Sequence, residues 1–167
     1  MTKTEIPLEV ADLTVAKIIE LLKPLCERIE VAGSLRRKRP LVHDIDIVLI
    51  PNTFMWAGTI PNTLIKQLGA KMAKNGPLIK QFIIDDIQVD LIHATTTNWG
   101  IRMLRWTGSM AHNIMLAGRA KSLGMKLAVS QGLLDRDREL ITAKTEKAIF
   151  EALHLDYVEP QDREVNQ

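Results

Sequence analysis

The chain has 167 residues, of which 46% are hydrophobic and 25% are charged, and its formal net charge at pH 7 is +2. This length fits one domain or two small lobes that share a core, and the composition excludes an intrinsically disordered chain. The single cysteine, Cys26, excludes an internal disulfide and a thiolate zinc site. Because the sequence shows neither a secretory signal nor an apolar stretch long enough to span a membrane, we expect an intracellular protein with no membrane partner.

Taken in chain order, the apolar residues change between helical and strand-like spacing. The first helix is predicted to end before Pro24, because the residue before a proline avoids the helical region. The predicted elements of this part are a helix over residues 10–23, a strand over 28–32, a Gly-Ser turn, a basic loop over 35–40, a strand over 44–50, a helix over 62–73 that begins at Asn62, and two strands over 78–84 and 87–93 joined at Asp85-Asp86.

The rest of the chain is predicted to be mostly helical. A helix over residues 98–106 is followed by a break, a helix from Ser109 to about Leu123 that stops at Gly124, a short strand over 125–129 and a helix over 145–153. The predicted fold class is therefore α+β, with a mixed sheet and helices in residues 1–97 and a smaller lobe in residues 98–167.

Two carboxylates stand two positions apart on a predicted strand. Asp44 and Asp46 should leave the same face of that strand, where they repel each other unless a cation lies between them. Asp90 is the third acid, in a strand that alternates apolar and polar residues. Three carboxylates on adjacent strands can hold two hard cations such as Mg²⁺ or Mn²⁺ and so support phosphoryl transfer, although an acidic pair on a solvated strand face also occurs without any metal.

A glycine turn precedes these acids. Gly33 lets the backbone approach a phosphate closely, Ser34 adds a hydroxyl, and the arginines of the loop that follows can donate paired hydrogen bonds to phosphate oxygens. A surface loop with solvated basic residues is the alternative. The order strand, Gly-Ser, basic loop and acid-bearing strand favours a phosphate cradle beside a metal site.

These motifs resemble a known family. Residues 31–37 (Val-Ala-Gly-Ser-Leu-Arg-Arg), followed by Asp44-Ile45-Asp46, resemble the palm signature of the polymerase beta superfamily. Thr107-Gly108-Ser109, followed by His112-Asn113, resembles the thumb motif of the family X DNA polymerases. The likeness runs from about Ile29 to the C-terminus, so the chain resembles a minimal palm-plus-thumb polymerase without lyase or fingers domains.

The resemblance implies roles for the palm residues. Asp44 and Asp46 would hold two divalent metal ions, and Asp90 would hold the catalytic one and help to deprotonate the primer 3′ hydroxyl. Ser34 and Arg37 would contact the β- and γ-phosphates of the incoming nucleotide, with Gly33 allowing the close approach.

The resemblance also assigns nucleotide contacts to the second lobe. Residues Thr107, Gly108 and Ser109 would pass beside the sugar, and Asn113 would contact the base edge in the minor groove. Arg105-Trp106 stands where the family often has Tyr-Phe, a pair that screens the sugar 2′ position, so ribonucleotide acceptance stays open. His112 is a further candidate contact, with a capping or solvated role as its alternative. The DNA-contacting candidates are Arg119, Lys121 and Lys126, beside Arg136 and Arg138, against a plain solvated surface.

We therefore expect a monomeric DNA-directed DNA polymerase that uses DNA and nucleoside triphosphates and fills short gaps in repair. One alternative is a nucleotidyltransferase that works without a template or on another acceptor. Another, of a different class, is an inactive module that binds DNA ends.

Overall fold

The structure is a computed structural model that describes residues 5–164. The chain divides into two compact units, called unit 1, which ends at Ala94, and unit 2, which begins at Thr95. Among residues 5–164, no helix is both long enough and apolar enough to cross a membrane.

Unit 1 combines a mixed sheet with helices, which confirms the predicted α+β class. Its elements are β1 (Ile6–Pro7), α1 (Leu8–Leu22), β2 (Cys26–Val31), α2 (Gly33–Arg36), β3 (Leu41–Val42), β4 (Ile45–Pro51), α3 (Thr59–Leu68), β5 (Lys71–Asn75), β6 (Ile79–Ile84) and β7 (Ile87–His93). Five of the strands form one sheet in the order β2-β4-β7-β6-β5. Strands β4 and β7 are parallel, and the other neighbours in this sheet are antiparallel.

One face of this sheet carries the core of unit 1. In β4 the alternate residues Ile45, Ile47 and Leu49 are fully buried, and they belong to one apolar cluster with residues of α1 and α3. Helix α1 contributes side chains spaced three or four residues apart, as expected for a helix with one apolar face. These are Ala11, Val15, Ile18 and Leu22.

Several predicted boundaries in unit 1 are wrong. Residues 33–36, interpreted as a turn and the start of a loop, form the single helical turn α2. Strand β4 begins at Ile45, so Asp44 precedes the strand. The predicted helix over 62–73 begins earlier and ends at Gly69, whose φ of 61° is left-handed and closes the helix. Residues beyond it form the edge strand β5, which the sequence pattern did not indicate.

The predicted hairpin between β6 and β7 is confirmed. Asp85 and Asp86 both have positive φ, at 49° and 63°, which is typical of a two-residue turn that matches the twist of its strands. The turn places Ile84 opposite Ile87 and fixes every later pair, including Gln81 opposite Asp90.

Unit 2 packs three helices with a small sheet. Its elements are α4 (Trp99–Thr107), α5 (Met110–Ser122), β8 (Lys126–Ala128), β9 (Gly132–Leu134), β10 (Leu140–Thr142) and α6 (Glu146–Ala152). The Ser109 hydroxyl caps α5 by accepting from the backbone N–H of His112, and the Thr145 hydroxyl caps α6 in the same way. The predicted strand over 125–129 is the shorter β8, and two unpredicted strands, β9 and β10, complete an antiparallel sheet.

Helices α4 and α6 of unit 2 approach each other closely at Gly100. A Cβ atom on Gly100 would lie 2.4 Å from the backbone nitrogen and carbonyl carbon of Thr145, the N-cap of α6. In contrast, a Cβ atom on Gly118 of α5 would meet nothing within 4 Å. The two glycines therefore stand in opposite environments within one unit.

We predict that Gly100→Ala lowers the free energy of unfolding by about 1–3 kcal/mol, because the backbone of Thr145 must move. Gly118→Ala should raise the free energy of unfolding by about 1 kcal/mol, because alanine favours the helix more than glycine does. Equilibrium urea denaturation measures both variants. A shift of both variants in the same direction would contradict the assigned packing.

Arg102 of α4 is a buried charge. Only 6% of the residue is exposed, and its Nε and Nη1 atoms have no hydrogen-bond acceptor within residues 5–164. Burial lowers the pKa of its guanidinium, because the charged form loses solvation. A buried donor without an acceptor destabilises a protein by about 1–3 kcal/mol.

We therefore predict that Arg102→Met raises the free energy of unfolding by about 1–2 kcal/mol, since an apolar side chain of similar length removes the unsatisfied donors. The matched control is Arg105→Met, which changes an exposed arginine of the same helix and should alter stability by less than about 0.5 kcal/mol. Thermal and urea unfolding measure both variants. A loss of stability in Arg102→Met would show that its guanidinium has a favourable partner.

Candidate active site

Two carboxylates meet on neighbouring parallel strands of unit 1. Asp46 of β4 is the register partner of Asp90 of β7. Paired positions on parallel strands lie roughly 4.8 Å apart and point to the same face of the sheet. Both residues are partly exposed, whereas the residues on either side of each are buried. The sheet therefore presents the two acids together on the face opposite the core.

Gly33 lies directly against one of these acids. Its φ is +61°, and a Cβ atom at this position would lie 2.2 Å from Oδ2 of Asp46. The backbone N–H of Ala32 also donates to the carbonyl of Asp46 over 2.8 Å. The Gly-Ser segment is thus attached to the acid-bearing strand, and glycine is required there by both conformation and space.

The basic segment follows from the same turn. Ser34 is half-buried in α2, and Arg37 comes directly after that helix, where its backbone N–H donates to the carbonyl of Gly33 over 3.3 Å. Ser34 and Arg37 therefore lie on the same helical turn as Gly33 or directly after it, and Gly33 contacts Asp46.

Asp90 is held by two amides. Gln81 Nε2 donates to Oδ1 of Asp90 over 2.9 Å, and Gln88 Nε2 donates to both carboxylate oxygens over 3.2–3.3 Å. Donors of this kind hold a carboxylate in one orientation. Sequence reasoning missed Gln81, although counting back from the two-residue turn would have paired it with Asp90.

Asp44, the remaining acid, does not lie on the strand that was predicted to carry it. Asp44 lies in a bend before β4 and is partly exposed. Alternation along a strand therefore does not fix the direction of its side chain relative to Asp46, and that both side chains leave one face stays a prediction.

The donor set fits a hard divalent cation by its chemistry, since carboxylate oxygens of Asp46 and Asp90 leave one face of adjacent strands. Within residues 5–164, however, no three His, Cys, Asp or Glu side chains converge closely enough to hold a metal ion as they stand.

Cys26 is not a nucleophile. Burial raises the pKa of its thiol to about 11, so the thiol is protonated at neutral pH.

The predicted nucleotide contacts of unit 2 surround the junction of α4 and α5. Arg105 is exposed and Trp106 half-buried, whereas Thr107 and Gly108 are buried. Asn113 Nδ2 donates to the carbonyl of Arg105 over 2.9 Å, which ties α5 to the end of α4.

An apolar groove of about 400 Å³ adjoins this junction. Arg105 and Asn113 line it together with Met110 and Ile114, which are 76% and 64% exposed. Large apolar side chains with this exposure at a groove are typical of a binding surface. Arg105 and Asn113, which the sequence predicts to contact nucleotide, therefore line the same groove as two exposed apolar side chains.

Ser109 is fixed by a residue that sequence reasoning missed. Its backbone N–H and its hydroxyl both donate to the carbonyl of Arg163, over 3.2 Å and 2.9 Å. Arg163 is fully buried, forms an ion pair of 2.5 Å with Glu146, and donates from Nε to the carbonyl of Val158. No local pattern indicates this role, because the two partners are 54 positions apart.

Two predicted contacts have partners within unit 2. His112 is 2% exposed and its ring packs against Phe150, with the centroids 5.9 Å apart, and its contact with a nucleotide stays a prediction. Arg119 donates from Nε to the carbonyl of Leu153 over 2.9 Å and thereby links α5 to the end of α6. Lys121 and Lys126 are exposed, as a DNA contact would require.

Comparison with known proteins finds relatives for both units. A family model described as the DNA polymerase beta thumb matches residues 102–164. The proteins named Repair DNA polymerase X from several isolates of African swine fever virus are 26% identical over 151 residues, which covers 86% of this chain and 86% of the viral protein.

Solved structures show the same fold. A crystal structure of Leishmania infantum polymerase beta, described as a ternary P/T complex, matches 97% of this chain and 77% of its own chain with a TM-score of 0.81 and 19% identity. A ternary gap complex of the same polymerase matches 97% and 71% with a TM-score of 0.84 and 19% identity. The thumb match, the viral relatives and the shared fold agree with the sequence motifs, and together they support a DNA polymerase similar to those of family X, which are nucleotidyltransferases.

Proposed function

We propose that this protein is a DNA-directed DNA polymerase that adds nucleotides to a primer 3′ hydroxyl and fills short gaps during repair. The observation that carries the proposal is the parallel pairing of Asp46 with Asp90, with Gly33 packed on Asp46. The viral relatives are named repair polymerases, and the similar Leishmania structures are described as ternary primer-template and gap complexes. The names of these relatives and the descriptions of these structures support DNA and a nucleotide as substrates. A protein that acts on DNA would work inside a cell.

The two units have separate tasks in this proposal. Unit 1 is the palm, which carries the acids, and unit 2 is the thumb, which agrees with the thumb-family match over residues 102–164. The boundary after Ala94 lies close to the end of β7, the strand that carries Asp90.

Asp44, Asp46 and Asp90 would hold two divalent ions, Mg²⁺ or Mn²⁺. The ions would neutralise charge on the attacking and leaving oxygens of the phosphoryl group. The protein's own part is to position and orient. Asp90 accepts the proton of the primer 3′ hydroxyl, while Gln81 and Gln88 hold its carboxylate by hydrogen bonds.

The remaining palm residues bind the triphosphate. Ser34 donates its hydroxyl and Arg37 its guanidinium to the β- and γ-phosphates, and Gly33 keeps the backbone low enough for the triphosphate to reach the acids. In the thumb, the groove lined by Arg105, Asn113 and Met110 accepts the base and sugar of the nucleotide. Trp106 beside Arg105 sets the tolerance for a 2′ hydroxyl.

A primer-extension assay tests the proposal against its alternatives. The protein is incubated with Mg²⁺ or Mn²⁺, each nucleotide, and a labelled primer that is gapped, nicked or single-stranded. We expect extension only opposite a template, with the best yield on the gapped substrate. Untemplated addition would replace the proposal by a terminal transferase, and binding without any product would replace it by an inactive DNA-end-binding module.

We predict that Asp90→Asn lowers the extension rate roughly 10²–10⁴-fold, because general base catalysis contributes an effect of that size. The control is Asp86→Asn in the exposed turn of the same hairpin, which should extend at the wild-type rate. Mn²⁺ binding, followed by electron paramagnetic resonance of the free ion, should weaken in Asp90→Asn alone. Wild-type extension by Asp90→Asn would remove Asp90 from the site.

We predict that Gly33→Ala abolishes most extension, because its Cβ atom would overlap the Asp46 carboxylate. Gly69→Ala is the matched control: the φ of Gly69 is also +61°, but a Cβ atom there meets nothing within 4 Å. Both variants should lose about 1–2 kcal/mol of stability from backbone strain. At temperatures at which both variants are folded, only Gly33→Ala should lose primer extension. Equal extension by the two variants would refute the role assigned to the contact between Gly33 and Asp46.

A further inference from the structure

A basic pocket lies on unit 2, away from the apolar groove. The C-terminal end of α5 and the turn between β9 and β10 enclose about 460 Å³. Three cationic side chains, Lys121, Arg136 and Arg138, line it with one carboxylate, Asp135. The pocket therefore has a local excess of positive charge.

The carboxylate of the pocket already has a structural task. Asp135 Oδ1 accepts from the backbone N–H groups of Asp137 and Glu139, each over 2.9 Å, and so shapes the turn. In contrast, the side chains of Lys121, Arg136 and Arg138 make no hydrogen bond or ion pair with other residues of the described range 5–164. The carboxylate of Asp135 therefore has its hydrogen-bond donors within the turn, whereas the three cations of the pocket have no such partner within residues 5–164.

Capping of α5 does not explain the three cations. The carbonyl groups that end a helix attract positive charge when they lack hydrogen-bond donors. Here the carbonyl of Arg119 accepts from the backbone N–H of Leu123 and from the Ser122 hydroxyl. The carbonyl of Ala120 accepts from the backbone N–H of Met125, and the carbonyl of Lys121 accepts from that of Gly124. Backbone and serine donors therefore already satisfy the helix end.

The position of Arg136 is defined by Gly124. A Cβ atom on Gly124 would lie 2.5 Å from Nε of Arg136, so the guanidinium rests directly on the glycine turn. Packing of this kind reduces the freedom that the side chain must lose on binding a ligand. A guanidinium donates paired hydrogen bonds that match two oxygens of one phosphate group.

We propose that the pocket formed by Lys121, Arg136 and Arg138 binds a phosphate group of the DNA substrate, as a second contact separate from the phosphoryl-transfer site. This inference rests on the proposed function, since it takes DNA as the ligand. The phosphate is a phosphodiester of the duplex backbone or the 5′-phosphate at the far side of a gap, two sources with the same chemistry.

The test compares two double variants that remove equal charge. Arg136→Gln with Arg138→Gln changes the pocket, and Lys144→Gln with Lys147→Gln changes exposed lysines of unit 2 outside it. Fluorescence anisotropy measures the dissociation constant of each protein for gapped duplex DNA over a range of salt concentrations. Each phosphate contact contributes about 0.9 to the slope of log affinity against log salt. Because the pocket binds one phosphate group, the pocket variant should lose about 0.9 from this slope relative to the control variant.

Extension kinetics provide a second measurement. The pocket variant should show a raised KM for DNA and an unchanged kcat, because the residues of the pocket take no part in the proposed phosphoryl transfer. Gaps with a 5′-phosphate or a 5′-hydroxyl separate the two sources: a loss for both substrates indicates the duplex backbone, and a loss only for the phosphorylated one indicates the terminal group. Either result supports the pocket, provided that thermal melting shows both variants folded.

The results that overturn the proposal are distinct. If the wild-type protein binds and extends DNA but the pocket variant has the same salt slope and KM as the control variant, the pocket is not a phosphate site and the proposed function stands. If the wild-type protein does not bind gapped DNA at all, the proposed function fails and the pocket proposal fails with it.

Discussion

The parallel register of β4 against β7 is the constraint on which the proposed site depends. Val89 and Leu91 of β7 are fully buried on the core face, and Asp90 lies between them on the opposite face. A slip of one residue would turn Asp90 into the core and expose both apolar side chains, each of which contributes about 1.5–3 kcal/mol through burial. The hydrophobic core therefore holds Asp90 beside Asp46 without any direct attraction between the two acids, which repel each other.

The parts of this site that the sequence predicts are those set by neighbouring residues. The Asp85-Asp86 turn and the strands beside it follow from local preference, and so does a glycine at position 33, where φ is positive. The pairing of β4 with β7 cannot be derived in this way, because the chain passes through α3, β5 and β6 between them. The resemblance to a polymerase family supplied that link. The short edge strand β5 was missed since its polar residues carry no apolar alternation.

Unit 2 shows why polar residues there were harder to interpret. His112, Arg119 and Asn113 all looked available for a ligand, yet each contacts the unit itself, through a ring, a carbonyl of α6 or a carbonyl of α4. Arg163 received no role from the sequence, although it is fully buried and holds Ser109 from a distance along the chain. A sequence shows that a side chain can donate, but only the fold shows which acceptor is already within reach.

The net charge of the chain also does not indicate where DNA would bind. A formal charge of +2 over 167 residues permits a nucleic-acid ligand without arguing for one. Folding places Lys121, Arg136 and Arg138 around one pocket, where their side chains make no ion pair within residues 5–164, while Arg163 and Arg119 bond to other residues of unit 2. The acids of unit 1 carry the reaction in the proposed function, and their negative charge would repel a DNA backbone. In the proposed function, the basic pocket of unit 2 supplies a positive charge for the DNA backbone that the acids of unit 1 do not supply.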